Sequence, residues 1–234
     1  DGMCSGSEYG AMPDWDVSQV TDMSNAFKFK TSFNADISAW DVSSVTDFGS
    51  MFYYANSFNQ DISVWDVSNG PSMSNMFFHA RNFNQDISIW DVSNVTNMNG
   101  MFYQTYDFNQ DLSSWNFSNV TNMAAMFRYA ESFNQDLSSW DISNVTDLTN
   151  FAEGTPISLE NYDALFTGWS ALTLQQGVNF SNSTLQYCTA GDARQSIIDT
   201  YGWTITDAGL APGCNDSDEL TPITDDNFQA AINN

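Results

Sequence analysis

The sequence predicts an α/β solenoid: a right-handed coil with a parallel sheet on one face, short helices on the other, and an α/β cap at its C-terminal end. Three observations carry this. Tryptophan recurs at 15, 40, 65, 90, 115 and 140, each step being 25 residues. Phe27, Phe52, Phe77, Phe102 and Phe127 keep the same period, as do Phe33, Phe58, Phe83, Phe108 and Phe133. Each unit also contains one stretch of alternating apolar residues and one of helical spacing. A fixed period of this length is the signature of supersecondary units that bury their apolar faces only by stacking on each other.

Each unit reads F-N-x-D-[IL]-S-x-W-D-[VI]-S-x-V-T-x-M-x-x-M-F. Trp40 and Val42 point one way and Asp41 the other, as in a short strand. Phe48, Met51, Phe52 and Ala55 follow at helical spacing, which predicts one buried helix face. Thr46 precedes them as a cap, and Asp47 suits the helix dipole. Each Trp occupies a core position of its strand, so the indoles are expected inside. Asn34, Asn59, Asn84, Asn109 and Asn134 are expected to form a ladder joining the backbone of successive units. In the third unit Gly70-Pro71 replaces Val-Thr, so its helix should start differently. A strand and a helix every 25 residues is leucine-rich-repeat arithmetic.

Composition excludes several classes of function. Against 29 acidic residues stand five basic ones (Lys28, Lys30, Arg81, Arg128 and Arg194), for a net charge of −24. Such a surface repels phosphate backbones and anionic bilayers, so no nucleic acid and no direct membrane insertion are expected. No apolar run is long enough to span a bilayer. His79 is the single histidine. It has no Cys or Ser constellation beside it, and no glycine-rich phosphate loop occurs, so the chain does not read as an enzyme. Of three cysteines, Cys188 and Cys214 would close a loop over the C-terminal end in an oxidising compartment, leaving Cys4 odd. In a reducing cell all three would be thiols.

The stretch Phe133-Asn134-Gln135-Asp136-Leu137-Ser138-Ser139-Trp140-Asp141-Ile142-Ser143-Asn144-Val145-Thr146 resembles the BspA-like surface-protein repeats. These recur in mycoplasma lipoproteins, marine bacteria and some protists. The likeness covers roughly residues 15 to 152. It implies a secreted or cell-surface location and a role in adhesion or binding.

Four segments follow: an N-terminal cap segment at 1–14, six repeat turns at 15–152, a C-terminal cap at 153–213, and a linker with the start of a further module at 214–234. Residues 157–169 and 193–201 read as helices, with a strand-like Trp203-Thr204-Ile205. The cap also resembles those following such repeats in marine bacterial surface proteins. At 223–232 a further helix opens with nothing to pack on. In similar proteins such a segment precedes D-G-M-C, which is how this chain begins. That suggests a tandem array in which Cys4 pairs with another module; a frayed tail is the alternative.

The candidate binding face is the W-D-V column Asp16, Asp41, Asp66, Asp91 and Asp141, with Asn116 interrupting it. These side chains are expected to project from successive strands. Neighbouring carboxylates repel by roughly 1 kcal/mol per pair in water, so the row needs an offset: the flanking serines, bound Ca²⁺, or a cationic partner. It reads first as a solvated acidic face and second as a weak divalent-cation site, since no D-x-D-x-D-G loop is present. A second column (Asp36, Asp61, Asp86, Asp111, Asp136) sits where turn hydrogen bonding explains it. If carbohydrate binds, Tyr53, Tyr54, Phe78, Tyr103 and Tyr129 are the better aromatics. Asn94, Asn119, Asn144 and Asn179 head sequons that a eukaryotic secretory pathway would glycosylate. Partners are then a protein or carbohydrate surface, or neighbouring copies of the same module assembling as a fibre or surface layer.

Overall fold

A computed structural model describes residues 11–214. Within it, consecutive 25-residue units lie one on another, and alternate amides of one coil donate to carbonyls of the next. In the first coil the N–H groups of Met23, Asn25, Phe27 and Phe29 reach the carbonyl oxygens of Asp47, Gly49, Met51 and Tyr53 at 2.7–2.9 Å. The same four rungs recur from Met73, Asn75, Phe77 and His79 to Asn97, Asn99, Met101 and Tyr103. Parallel bridges mark the start of this ladder at Asp22–Asp47, Ser72–Asn97, Asn97–Asn122 and Asn122–Asp147.

Here the local structure differs from the sequence expectation. The segment with Phe48, Met51, Phe52 and Ala55 is a run of turns, not a helix. Amides that do not reach the next coil close turns within their own coil, as Met51 N–H does to Phe48 and Tyr53 N–H to Ser50. Every fourth residue of the run is left-handed: Ser50 and Tyr54 have φ of 55° and 59°, and Asn75 and His79 have 55° and 59°. A helix sends every N–H along its own axis and cannot supply a lateral ladder. All four side chains are nonetheless fully buried, because two successive four-residue turns bury the same positions as two helical turns.

The strand expected at W-D-V is also replaced by turns. Trp40 N–H closes back on Ile37 and Val45 N–H on Val42, so this flank has no backbone ladder. Side chains join its coils instead. Asn34, Asn59, Asn84 and Asn109 each accept, through Oδ1, the amide N–H of the asparagine one coil on, at 2.9–3.0 Å. That is the anticipated asparagine ladder. The indoles of Trp65, Trp90 and Trp115 donate to the carbonyls of Ile37, Ile62 and Ile87 at 3.0–3.2 Å. The indoles lie inside, between 2% and 7% exposed from Trp40 to Trp140, and between the two flanks Phe52 stacks on Phe58 at 3.9 Å. Pro71 has no N–H and cannot donate to the coil before it as Thr46, Thr121 and Thr146 do, but its carbonyl still accepts the Thr96 amide and hydroxyl.

The cap continues the same arrangement. Helix α1 (Leu159–Trp169) starts on Ser158, whose hydroxyl accepts the Asn161 amide. It inserts Trp169, which donates to the Leu137 carbonyl at 3.1 Å, as Trp40, Trp65, Trp90 and Trp115 donate to carbonyls of the coil before them. Close approach of α1 depends on Gly168, where a Cβ would stand 2.1 Å from the Ser138 carbonyl oxygen. Strand β1 (Asn179–Ser181) follows Leu148 in the ladder. Helix α2 (Gly191–Tyr201) ends at left-handed Gly202, and strand β2 (Thr204–Thr206) pairs parallel with β1, Phe180 opposite Ile205. Cys188 and Cys214 form a disulfide. Cys4 and the segment 223–232 lie outside the described residues.

Candidate interaction surfaces

The first surface is the acidic flank. Asp16, Asp41, Asp66, Asp91 and Asp141 accept the amide N–H two residues on, from Ser18, Ser43, Ser68, Ser93 and Ser143, at 3.0–3.1 Å. Each is exposed, so the column faces solvent as expected, but from a turn and not a strand. The carboxylate closes the turn that its own neighbours form. Asn116 does the same to Ser118 at 3.0 Å, so the turn needs an oxygen, not a charge. The second column behaves identically: Asp61 and Asp86 accept from Ser63 and Ser88 at 2.9 Å. The serine hydroxyl first, and then its amide, holds the Asp16, Asp41, Asp61, Asp86 and Asp91 carboxyls below the ordinary carboxylate range. Neighbouring carboxylates oppose this at Asp41 and Asp61.

Only one oxygen of each carboxylate is needed by the turn, leaving the other for solvent or a partner. Between the two columns lie Val64 and Ile89, one coil apart, 71% and 72% exposed. The equivalent residues of other coils are Ala39, Ser114 and Ser139. Carboxylates thus frame a small apolar strip. Among the described residues no three His, Cys, Asp or Glu side chains converge on a metal-sized space. The columns run along the stack, so any divalent cation meets carboxylates in a line and not in a cage.

The second surface is aromatic and was only partly legible. Tyr53, Phe78 and Tyr103 stack face to face at 4.5 and 4.3 Å, and Tyr54 stacks on His79 at 4.1 Å. Rings packed on one another cover each other's faces and show their edges. A sugar needs an open ring face, so the middle of this ridge does not suit carbohydrate stacking. Cations supply the remaining contacts. Lys28 lies over Tyr53 at 4.9 Å, Arg81 over Tyr106 at 5.1 Å, and Arg128 over Tyr129 at 5.0 Å. His79 is buried under this layer. Desolvation first, and Arg81 beside it second, lower its pKa, so it stays neutral.

Three of the sequon asparagines join successive coils. Asn94, Asn119 and Asn144 each donate, through Nδ2, to the serine carbonyl 26 residues earlier at 2.7–3.0 Å. Asn179 is exposed at the start of β1. In the cap, Asp163 accepts three amides, from Cys188, Thr189 and Ala190, at 2.8–3.2 Å. It thereby fixes the three residues that lead into α2, whose cap residue Ala190 makes no side-chain hydrogen bond. A shallow cleft beside it is lined by Leu159, Asp163, Gly168 and Thr189.

Coils stacked in register with like residues in columns define a repeat protein. Residues 3–92 and 65–164 match the family described as "Mycoplasma protein of unknown function, DUF285", and the chain belongs to that family. It matches no curated protein and no solved structure.

Proposed function

We propose that this chain is a surface-displayed binding scaffold, a solenoid of the BspA-like, leucine-rich-repeat-like kind, which engages cationic partners through its acidic flank. One observation carries the reading: two columns of turn-closing carboxylates, each with an oxygen to spare, frame the exposed Val64–Ile89 strip. Asn116 closes the same turn without a charge, so the acids exceed what the fold requires. Keeping like charges one coil apart costs stability, and a cationic partner offsets that cost.

The reading is one of binding and not catalysis. Columns place like residues beside like, whereas an active site needs unlike groups converging on one reacting atom. The Cys188–Cys214 disulfide supports an oxidising, extracellular setting.

The test uses a substitution with precedent in the chain. Asp41→Asn/Asp66→Asn/Asp91→Asn keeps the turn oxygens and removes three charges. Its melting temperature should fall only slightly, because the amide oxygen still closes each turn, as at Asn116, while the charge favoured by the serine donors is lost. Its affinity for fluorescent oligolysine, read by anisotropy, should fall at least tenfold, about 1.4 kcal/mol. Ca²⁺ added as competitor reports whether divalent ions share the face. Unchanged oligolysine affinity in the folded variant would remove the acidic flank from the proposal.

A further inference from the structure

Four of the chain's five cations, Lys28, Lys30, Arg81 and Arg128, fall on the aromatic flank; the fifth, Arg194, is paired with Asp207. That pair is the single ion pair among the described residues. In a chain with 29 acids, four cations without a carboxylate partner among the described residues call for an explanation. Three of them lie over aromatic rings instead. Arg128 also carries a buried Nε with no hydrogen-bond partner. Ring edges are the positive rim of the aromatic quadrupole, so stacked edges and cations make this flank less negative than the rest of the molecule, with Asp107, Glu131 and Glu153 the acids beside Arg81, Tyr106 and Tyr129. Phe29, 61% exposed, extends it as an apolar end.

We infer that this cationic aromatic stripe docks on the acidic flank of a second copy of the same chain, over Val64 and Ile89. This rests on the binding role proposed for the acidic flank and names its partner. Three properties favour a second copy. The charges are complementary. Each flank brings exposed apolar surface: Phe29 on one, Val64 and Ile89 on the other. The periods also match, because both flanks repeat once per 25-residue coil. Lys28, Arg81 and Arg128 come from the first, third and fifth coils, and the carboxylate columns offer oxygens on every coil. Copies joined through two different faces form a heterologous contact, which leaves a free face on each end and propagates as an open array. Net repulsion acts beyond the Debye length, about 8 Å at 0.15 M salt, so association requires salt to screen it.

The test is a complementation experiment by sedimentation velocity at about 0.15 M salt and protein concentrations up to about 1 mM, the weak end of specific association. Wild type should form a concentration-dependent series of oligomers. Lys28→Gln/Arg81→Gln disables one face, and Val64→Ser/Ile89→Ser disables the other, using the serine that coils with Ser114 and Ser139 already hold. Each variant alone should be monomeric, and an equimolar mixture should stop at dimers. Oligolysine binding by Lys28→Gln/Arg81→Gln should be unchanged, because its acidic flank is intact. Monomeric wild type throughout would overturn the inference while leaving oligolysine binding to stand or fall separately. Oligomers that survive in either single variant would overturn it too. So would a monomeric wild type whose stripe retains an anionic polymer such as heparin, which would make a foreign polyanion the occupant.

Discussion

At the residue scale the same few contacts recur with small departures, and the departures carry information. Where Val42, Val67 and Val92 stand in other coils, the fifth has Phe117. Its ring stacks on Trp140 at 3.9 Å, and Trp140 Nε1 is the one indole nitrogen left buried without a hydrogen bond. The larger side chain has displaced the indole from the Leu112 carbonyl that its column position would reach. The turn-closing aspartates make a pH prediction. Their carboxyls are held below the ordinary range by serine hydroxyl and amide donors, so the folded state binds protons less readily than the unfolded chain. This stability is fully present above the unfolded carboxylate value, about 3.9. It is lost as pH falls through the depressed folded values. His79 adds a loss that begins higher: a lowered folded pKa means that protonation of the unfolded chain competes once pH falls through about 6.5. Thermal melts should therefore show a shallow decline below about pH 6.5 and a steep one below about pH 4. His79→Phe should remove only the shallow part.

At the scale of the coil, volume is conserved across neighbours. Where other coils have Met23, Met73, Met98 or Met123 the second has Phe48, and the third coil, stacked on it, has Gly70 where others have Val45, Val95, Val120 or Val145. The two changes compensate: a Cβ at Gly70 would stand 2.7 Å from the Phe48 ring. Gly70→Val should therefore destabilise by about 1–3 kcal/mol through overpacking. Phe48→Met should relieve most of that cost, an interaction that chemical denaturation of the two single variants and the double would measure. Left-handed residues are the other property of this scale. Asn25, Asn75, Gly100, Asn150 and Gly154 suit positive φ, whereas Phe29, Tyr54 and Tyr129 do not. Those aromatic residues hold it because the lateral ladder and ring stacking on the next coil over-determine the turn.

At the scale of the whole molecule, each coil contacts mainly the coils beside it, so stability is a sum of units and interfaces and unfolding starts at an end. The cap governs that end. Asp207, its side chain 2% exposed, is held by Arg194 at 2.8 Å and by the Tyr162 hydroxyl at 3.1 Å, and proximity to this carboxylate adds to burial in raising the Tyr162 pKa. The disulfide spans 26 residues, which in the chain-entropy picture contributes about 3.5 kcal/mol. Cys188→Ser/Cys214→Ser should let β2 and α2 exchange amide protons first. The central coils around Phe77 and Phe102 should remain protected, a gradient that hydrogen exchange reads directly.

The sequence by itself determined the period, the buried set and the asparagine ladder, because these depend on identical side chains meeting their own copies one coil on. Any stack of 25-residue units would bring Trp90 onto Trp115 and Asn59 onto Asn84, whatever the backbone between them did. The helices of the cap were legible too, since apolar spacing there continues over three turns. Tertiary structure alone decided what the backbone does inside a coil. Apolar residues at three- and four-residue spacing fit a helix and a run of lateral turns equally well, and W-D-V alternation fits a strand and an aspartate-closed turn. The choice depends on where the amide hydrogens go. Here alternate N–H groups bond to the next coil, whose carbonyls exist as partners only once the stack has formed. The segregation of cations onto an aromatic stripe was hidden for the same reason: Lys28, Arg81 and Arg128 lie far apart in the chain and share a flank only when the coils are in register.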